Sequence, residues 1–380
     1  MAEHADILIV GAGPVGAVCA LALAEGGAAP LLLEARTADR RVSDRRTLAL
    51  SHGSRLILER LGVWQRLAGA TAITDIDISQ KGGFGHARLS AAEENVPALG
   101  HVLGYDDLAR ALDHALAAAG LAVRHDAAVA AAVPGRAYAT LRLHDGELVT
   151  ARLAVIADGG RSLAGTAKID KDYGQVALVA RVSTDQPQPG LAYERFTPQG
   201  PAALLPRGES YALVWVTAPA EAERLLALAD DAFLAALQDH FGGRAGRFLA
   251  VAERGRFPLR LAWQGSRAGD RLVRIGNAAQ TLHPVAGQGF NLGLRDAWEL
   301  AQAVLDAPAD PGAAATLARY ARARRRDALP GIGFTDALVE IFTREVAPLR
   351  QARGLGLFAL QALPPLKHFV ARRMMFGARG

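Results

Sequence analysis

The sequence predicts an α/β protein in three layers: a mostly parallel sheet with flanking helices, interleaved with a β-rich unit and followed by a helical tail. Three observations predict it. Residues 6–10 (DILIV), 14–25 and 30–34 (PLLLE) read as strand, helix and strand in succession, a βαβ unit with parallel strands and a right-handed crossover. From about 172 to 265 the texture changes to alternating runs such as VALVARVS and YALVWVT, the period of an antiparallel sheet. Strand 271–275 (RLVRI) returns to the apolar style of the start, and everything after it reads as helix.

Between these landmarks the elements follow in order. A basic loop spans 36–46, a helix 51–68, strands 71–90 and a helix 106–119. Residues 121–131 return to the sheet, and Asp145-Gly146 sits between alternating runs as a hairpin turn. Strand 151–157 ends in Asp158-Gly159-Gly160, and one helix, 219–240, interrupts the β-rich stretch. The order implies interleaved units rather than two beads on a string.

With 380 residues, 51% hydrophobic and 21% charged, the chain has a globular composition and room for two subdomains. Forty-three basic against 38 acidic residues leave +5, too small an excess to argue for nucleic acid. Cys19 is the single cysteine, which excludes an internal disulfide framework and a four-cysteine metal site and fits a reducing compartment. The histidines lack metal-ligand spacing, so no metal is expected. RARRR at 322–326 reads as a solvated helix face. The N-terminus has no signal-peptide pattern and no uncharged run is long enough to span a bilayer; the expected location is the cytoplasm.

Gly11-Ala12-Gly13-Pro14-Val15-Gly16 follows a strand and opens a helix. In this Rossmann-like fingerprint Gly11 permits the tight turn, Gly13 lets a pyrophosphate approach the backbone and Gly16 lets helix and strand pack closely. Glu34 closes the second strand 18 residues after Gly16, placed to accept hydrogen bonds from a ribose diol, as in FAD or NAD. The stretch GNAAQTLHPVAGQGFNLGLRDA (276–297) crowds Gly276, Pro284, Gly287, Gly289 and Gly293 into a turn that runs into a helix expected to begin at Asn291. Such a turn aims backbone N–H groups at one point, suited to a phosphate or an electron-rich ring edge.

These motifs, with IADGGRS (156–162), RRTLALSHGSRLILERLGVWQRL (45–67) and the tail LPPLKHFVARRMM (363–375), resemble the FAD-dependent aromatic hydroxylases. Within that group they resemble the ubiquinone-biosynthesis (2-polyprenylphenol) hydroxylases. The resemblance implies an FAD-binding domain at 1–75, 101–171 and 266–330, a substrate domain at 76–100 and 172–265, and a helical tail at 331–380. It implies that Gly11, Gly13, Pro14, Val15, Gly16, Glu34 and Ala35 hold the ADP half of FAD and that Arg46 lies near its phosphates. Asp158 and Gly159 would form the second fingerprint. Gly276 and Asn277 would reach the ribityl chain, where many relatives carry Gly-Asp; Asn277 can hydrogen-bond a hydroxyl but brings no charge. Pro284, Gly287, Gln288, Gly289, Phe290 and Asn291 would approach the isoalloxazine. His283, beside that loop, reads either as a catalytic proton relay or as a structural histidine next to a proline in a turn.

The implied activity is a class A monooxygenase that uses NAD(P)H and O₂, through a flavin C4a-hydroperoxide, to hydroxylate a polyprenylated phenol or quinol precursor. An FAD-dependent dehydrogenase or reductase of a prenyl-type substrate, a plain NAD-dependent dehydrogenase, and a non-catalytic flavoprotein subunit of a biosynthetic assembly remain as alternatives. In 366–375, Leu366, Phe369, Val370 and Met374 share one helical face, flanked by Lys367, His368, Arg372 and Arg373. That pattern fits either a peripheral contact with a membrane or a closing helix packed on the core.

Overall fold

Strand Glu3–Val10 pairs in parallel with Leu31–Leu33 on one side and with Leu148–Ile156 on the other. Outward from these, Val123–Arg124 and Leu272–Arg274 continue the parallel order. This computed structural model describes residues 3–39, 44, 46–160, 168–265, 267–281, 287–343 and 347–379, without the side chains of 332, 334–350 and 379. Ile7 and Ile9 face one core, shared with helices Pro14–Glu25, Tyr105–Ala118 and Gln288–Leu305. Leu8 and Val10 face a second core, shared with strands Val129–Val133 and Ala139–Leu143. Both faces of the strand are buried, which explains its unbroken apolar run. Cys19 lies fully buried in the first core, where burial pushes its thiol up to about 12.

A second sheet is antiparallel except where Leu191–Phe196 runs parallel to Asp75–Gln80. Its strands come from 75–90 and 169–263, with a short strand Gln280–Thr281 at one edge. Its outer face packs a core of Leu178, Leu204, Trp215, Phe233 and Phe241. A three-stranded sheet of Thr47–Ser51, Gly100–Gly104 and Thr71–Ile73 completes the β-structure of the described residues.

The structure corrects several element boundaries. The helix read at 51–68 begins at His52, because Ser51 ends a strand and its hydroxyl accepts from Ser54 N. It stops at Arg60, ahead of Gly62 at φ 67°, and a 3₁₀ turn at Trp64–Arg66 follows. The single helix read at 219–240 is two, Pro219–Leu226 and Asp230–Phe241. Asp230 and Asp231 open the second of these, where acidic side chains favour a helix N-terminus. After Leu272–Arg274 the chain is not purely helical, since Gln280–Thr281 pairs with Ala262 and Trp263. The third motif thereby runs from the first sheet to the second.

Candidate active site

Strands Glu3–Val10, Leu148–Ile156 and Leu272–Arg274 end level, with Val10, Ile156 and Arg274 in register. Their glycine-rich turns all leave at the carboxyl edge, where open parallel sheets bind ligands. Gly11 (φ 100°) donates to Leu33 O and presses on the next strand; a Cβ there would lie 2.7 Å from Ala157 O. At Gly16 a Cβ would meet Gly11 O at 1.9 Å, so only glycine lets helix and strand close. Gly13 differs: a Cβ there meets nothing within 4 Å. Pro14 occupies the first helical turn and is buried, while Val15 packs where Cβ atoms of Gly276 and Gly293 would stand.

Glu34 is 7% exposed and links the fingerprint to the second strand. It accepts from Ala12 N at 3.0 Å, from Arg36 N at 3.1 Å and from Arg36 Nε at 2.7 Å. Burial alone would raise its pKa, but the hydrogen bonds and charge of Arg36 and the Ala12 N–H outweigh it and hold the carboxyl below its usual range. An ionised carboxylate is the acceptor a ribose diol needs. Ala35 is exposed beside it. Asp158 accepts from Gly160 N at 2.9 Å through a turn in which Gly159 has φ 74°. Asn277 is exposed, its carbonyl 3.4 Å from where a Gly160 Cβ would stand.

The helix of the third motif begins at Gln288, not at Asn291. Gly287 caps it at φ 60°, a left-handed conformation that glycine adopts freely. Helix geometry leaves the leading N–H groups, Gly289 and Phe290 among them, without an intrahelical partner. The Asn291 side chain is a staple: its Oδ1 accepts from Ser51 N at 2.8 Å, and its Nδ2 donates to Ala49 O and Gly287 O. Phe290 is half-buried against the helical core. His283 and Pro284 lie outside the described residues. Arg46 is bound through Nε to Asp44 at 2.8 Å, with its guanidinium 5.3 Å from the centre of the Tyr105 ring and 5.6 Å from that of Phe257.

Three charged residues of the site were not singled out from the sequence. Asp296 is 0% exposed and pairs with Arg267 at 2.9 Å and Arg324 at 2.7 Å, while also accepting from Gly276 N and Gln280 Nε2. Burial alone would raise its carboxyl, and the two guanidinium groups reverse that, holding it below its usual range. In 322–326, Arg322, Arg325 and Arg326 are exposed as read, but Arg324 is fully buried and also pairs with Glu299 and Asp327. The available signal was Asp296 itself, one turn beyond Gly293 on the helix that faces Gly276.

An apolar pocket opens beside this helix. Gln288 and Asn291, Ile73, Ile76 and Leu89, and Ala371, Met374 and Met375 of helix Pro364–Phe376 line it. That helix buries Lys367, Ala371 and Met375; of the apolar face read at Leu366, Phe369, Val370 and Met374, Leu366 and Phe369 are exposed while Met374 lines the pocket. Lys367 and His368 pair with Glu93 and Glu94, which leaves Arg372 and Arg373 as its remaining basic side chains. No group of three or more metal-ligating side chains clusters among the described residues.

Parallel strands ending in an open glycine cradle, a buried ribose-type acid and a helix N-terminus beside an apolar pocket define a dinucleotide-binding flavoprotein fold, and its residues fit FAD. Residues 4–329 match the model of the FAD binding domain family. The ubiquinone hydroxylase UbiL of Rhodospirillum rubrum is 36% identical, over 98% of this chain and 89% of its own. The 3-demethoxyubiquinol 3-hydroxylase of Escherichia coli is 32% identical, over 96% and 97%. Among solved structures, the p-nitrophenol 4-monooxygenase PnpA of Pseudomonas putida superposes with a TM-score of 0.78 at 17% identity over the whole of both chains. HpxO of Klebsiella pneumoniae, complexed with FAD and uric acid, gives 0.77 at 17% identity over 100% and 98%. The chain belongs to the FAD binding domain family and is an FAD-dependent monooxygenase.

Proposed function

We propose that this chain hydroxylates the aromatic ring of a polyprenylated phenol in ubiquinone biosynthesis, with NAD(P)H as reductant and O₂ as oxygen donor. The observation that carries the reading is the apolar pocket lined by the first turn of helix Gln288–Leu305 and by Met374 and Met375. A ring beside Gln288 and an isoprenoid chain against the methionines would suit this lining, methionine being the side chain that best adapts to an irregular apolar ligand. The names of the relatives support the substrate class.

FAD, when bound, supplies the electron storage and the oxygen activation. The chain's own residues bind, orient and exclude water. Gly11, Gly13 and the helix starting at Pro14 receive the pyrophosphate, and Glu34 holds the ribose. The N-terminus of helix Gln288–Leu305 offers its positive end, an effect of roughly 0.3–2 kcal/mol, where the ring system gains negative charge. Asn291 fixes that end against Ala49 and Ser51, and Asp296 fixes the Gly276 turn. Segments 1–75, 101–171 and 266–330 would serve the cofactor, 76–100 and 172–265 the substrate, and 331–380 the entrance.

In the test, FAD-loaded protein is given NAD(P)H and a short-chain prenylphenol under air. The expected product is heavier by one oxygen; NAD(P)H oxidation that yields only hydrogen peroxide with every phenol tried would overturn the reading.

A prenylated substrate resides in lipid, and no described helix is long and apolar enough to cross a membrane. The last two helices, Ala347–Ala362 and Pro364–Phe376, nevertheless expose Leu355, Phe358, Leu363, Leu366 and Phe369, the last 65% exposed. This face would rest on the bilayer at the pocket entrance, with Arg372 and Arg373 toward anionic headgroups. Wild-type protein should float with anionic vesicles, whereas a Leu366→Ser/Phe369→Ser variant with an unchanged melting temperature should stay in the dense fraction. Equal flotation of both would remove the face from membrane contact.

A further inference from the structure

Glu194 stands on the inner face of the substrate sheet. Its strand, Leu191–Phe196, pairs with Asp75–Gln80 and with Ala202–Arg207, placing Glu194 opposite Ile78 on one side and Ala203 on the other. Neighbouring Leu191 and Tyr193 point into the helix-covered core with Leu204 and Trp215. Alternation therefore puts Glu194 on the opposite face with Ala192, which packs against Ile73, Val102 and Ile76. Ile73 and Ile76 line the pocket, so Glu194 lies one pleat beyond Ile76 on the sheet face that borders it.

No hydrogen-bond or ion-pair partner engages its carboxylate among the described residues. Among the described residues, charged side chains of the neighbouring strands have other partners. Arg195 points to the other face, toward Ser79. Arg207, on the same face of the neighbouring strand, reaches Thr47 at 3.4 Å and Glu253 at 3.8 Å, and Arg181 pairs with Glu253 at 3.2 Å. His101, on the three-stranded sheet, packs edge-on against Trp64. The side chain is half-buried, yet surrounding protein desolvates the carboxyl enough to push it up to about 7.

We propose that Glu194 is a catalytic base that accepts the proton of the substrate's phenolic hydroxyl; the inference rests on reading the pocket as a phenol site. The O–H bond breaks toward the carboxylate, and its electron pair conjugates into the ring. The activated ring carbon then forms a C–O bond with the oxygen atom that the enzyme's flavin chemistry supplies. The resulting dienone loses its ring proton to solvent and regains aromaticity as Glu194 returns the first proton to the phenolic oxygen. Loss of a positioned base costs roughly a hundredfold or more in rate.

Glu194→Gln preserves shape and one acceptor oxygen, and wild-type FAD content in the variant separates its effect from misfolding. The wild-type hydroxylation rate should rise with pH through about 7, because the base must be ionised, and the variant should lose the rising limb together with roughly a hundredfold in kcat. A second measurement needs no turnover: binding of a phenol methylated at every ortho and para position, followed by the flavin spectrum of the oxidised holoenzyme. That phenol remains neutral up to about pH 10, so tighter binding to wild type as pH rises through about 7 reports the carboxylate, and the variant's affinity should be flat. The same pH dependence in both proteins, or a variant kcat within threefold of wild type, overturns the assignment. If the pH-dependent binding holds but no phenol gains oxygen, the hydroxylase reading fails while the Glu194 contact stands.

Discussion

Gly13→Val should yield a folded, colourless protein. Gly13 has φ −66° and ψ 174°, extended backbone open to any residue, and its Cβ would touch nothing within 4 Å. The polypeptide therefore tolerates valine, and the open space is where a pyrophosphate must meet the helix N-terminus. The variant should lose FAD and melt together with FAD-stripped wild type, since it forfeits ligand stabilisation and nothing else. Gly16→Ala is the contrasting substitution. Its Cβ would collide with Gly11 O at 1.9 Å, so it should melt below the stripped wild type. A Gly13→Val protein that retains a full complement of FAD removes that glycine from the site.

Asp296→Ala should be the most destabilising single change. It leaves Arg267 and Arg324 buried, 3% and 0% exposed, without their shared counter-ion, and Gly276 N and Gln280 Nε2 without an acceptor. Breaking a buried pair costs about 3–5 kcal/mol, against a total stability of roughly 5–15 kcal/mol. Urea unfolding of the FAD-stripped protein measures it without the cofactor's contribution. The pH dependence follows from a lowered folded-state pKa. The contribution of Asp296 is complete above the unfolded carboxyl pKa of about 4 and is lost as pH falls below it toward the folded value. Wild type and variant should therefore converge in stability as pH drops below about 4; a constant gap across that range would deny the ion pairs their role.

Much of the site was legible because its demands are local. A glycine fingerprint between strand and helix, and an acid at the end of the next strand, follow from backbone geometry within some thirty residues. The third motif was legible as a backbone-presenting turn, but its helix start was misplaced by three residues. Asn291 was read as the first residue of the helix, whereas it lies inside it and its side-chain amide reaches back to Gly287 and across to Ala49 and Ser51. Arg324 and Lys367 were misread for a different reason. Each carries a charge in a basic run, and the acids that bury it, Asp296 and Glu93, are distant in sequence. Glu194 was hidden by symmetry: alternation tells which side chains share a face of a strand, but not which face a helix pair covers and which borders a pocket.

The central claim is that one atom of O₂ enters the ring of a phenol bound in the pocket beside helix Gln288–Leu305. Labelling tests it most directly. FAD-loaded protein is incubated with NAD(P)H and a short-chain prenylphenol under oxygen-18 gas in ordinary water, and the product is examined by mass spectrometry. The account predicts a hydroxylated ring carrying the heavy isotope in stoichiometric proportion. Product whose new oxygen comes from water, or a prenyl chain reduced or dehydrogenated with no oxygen gained, would contradict it.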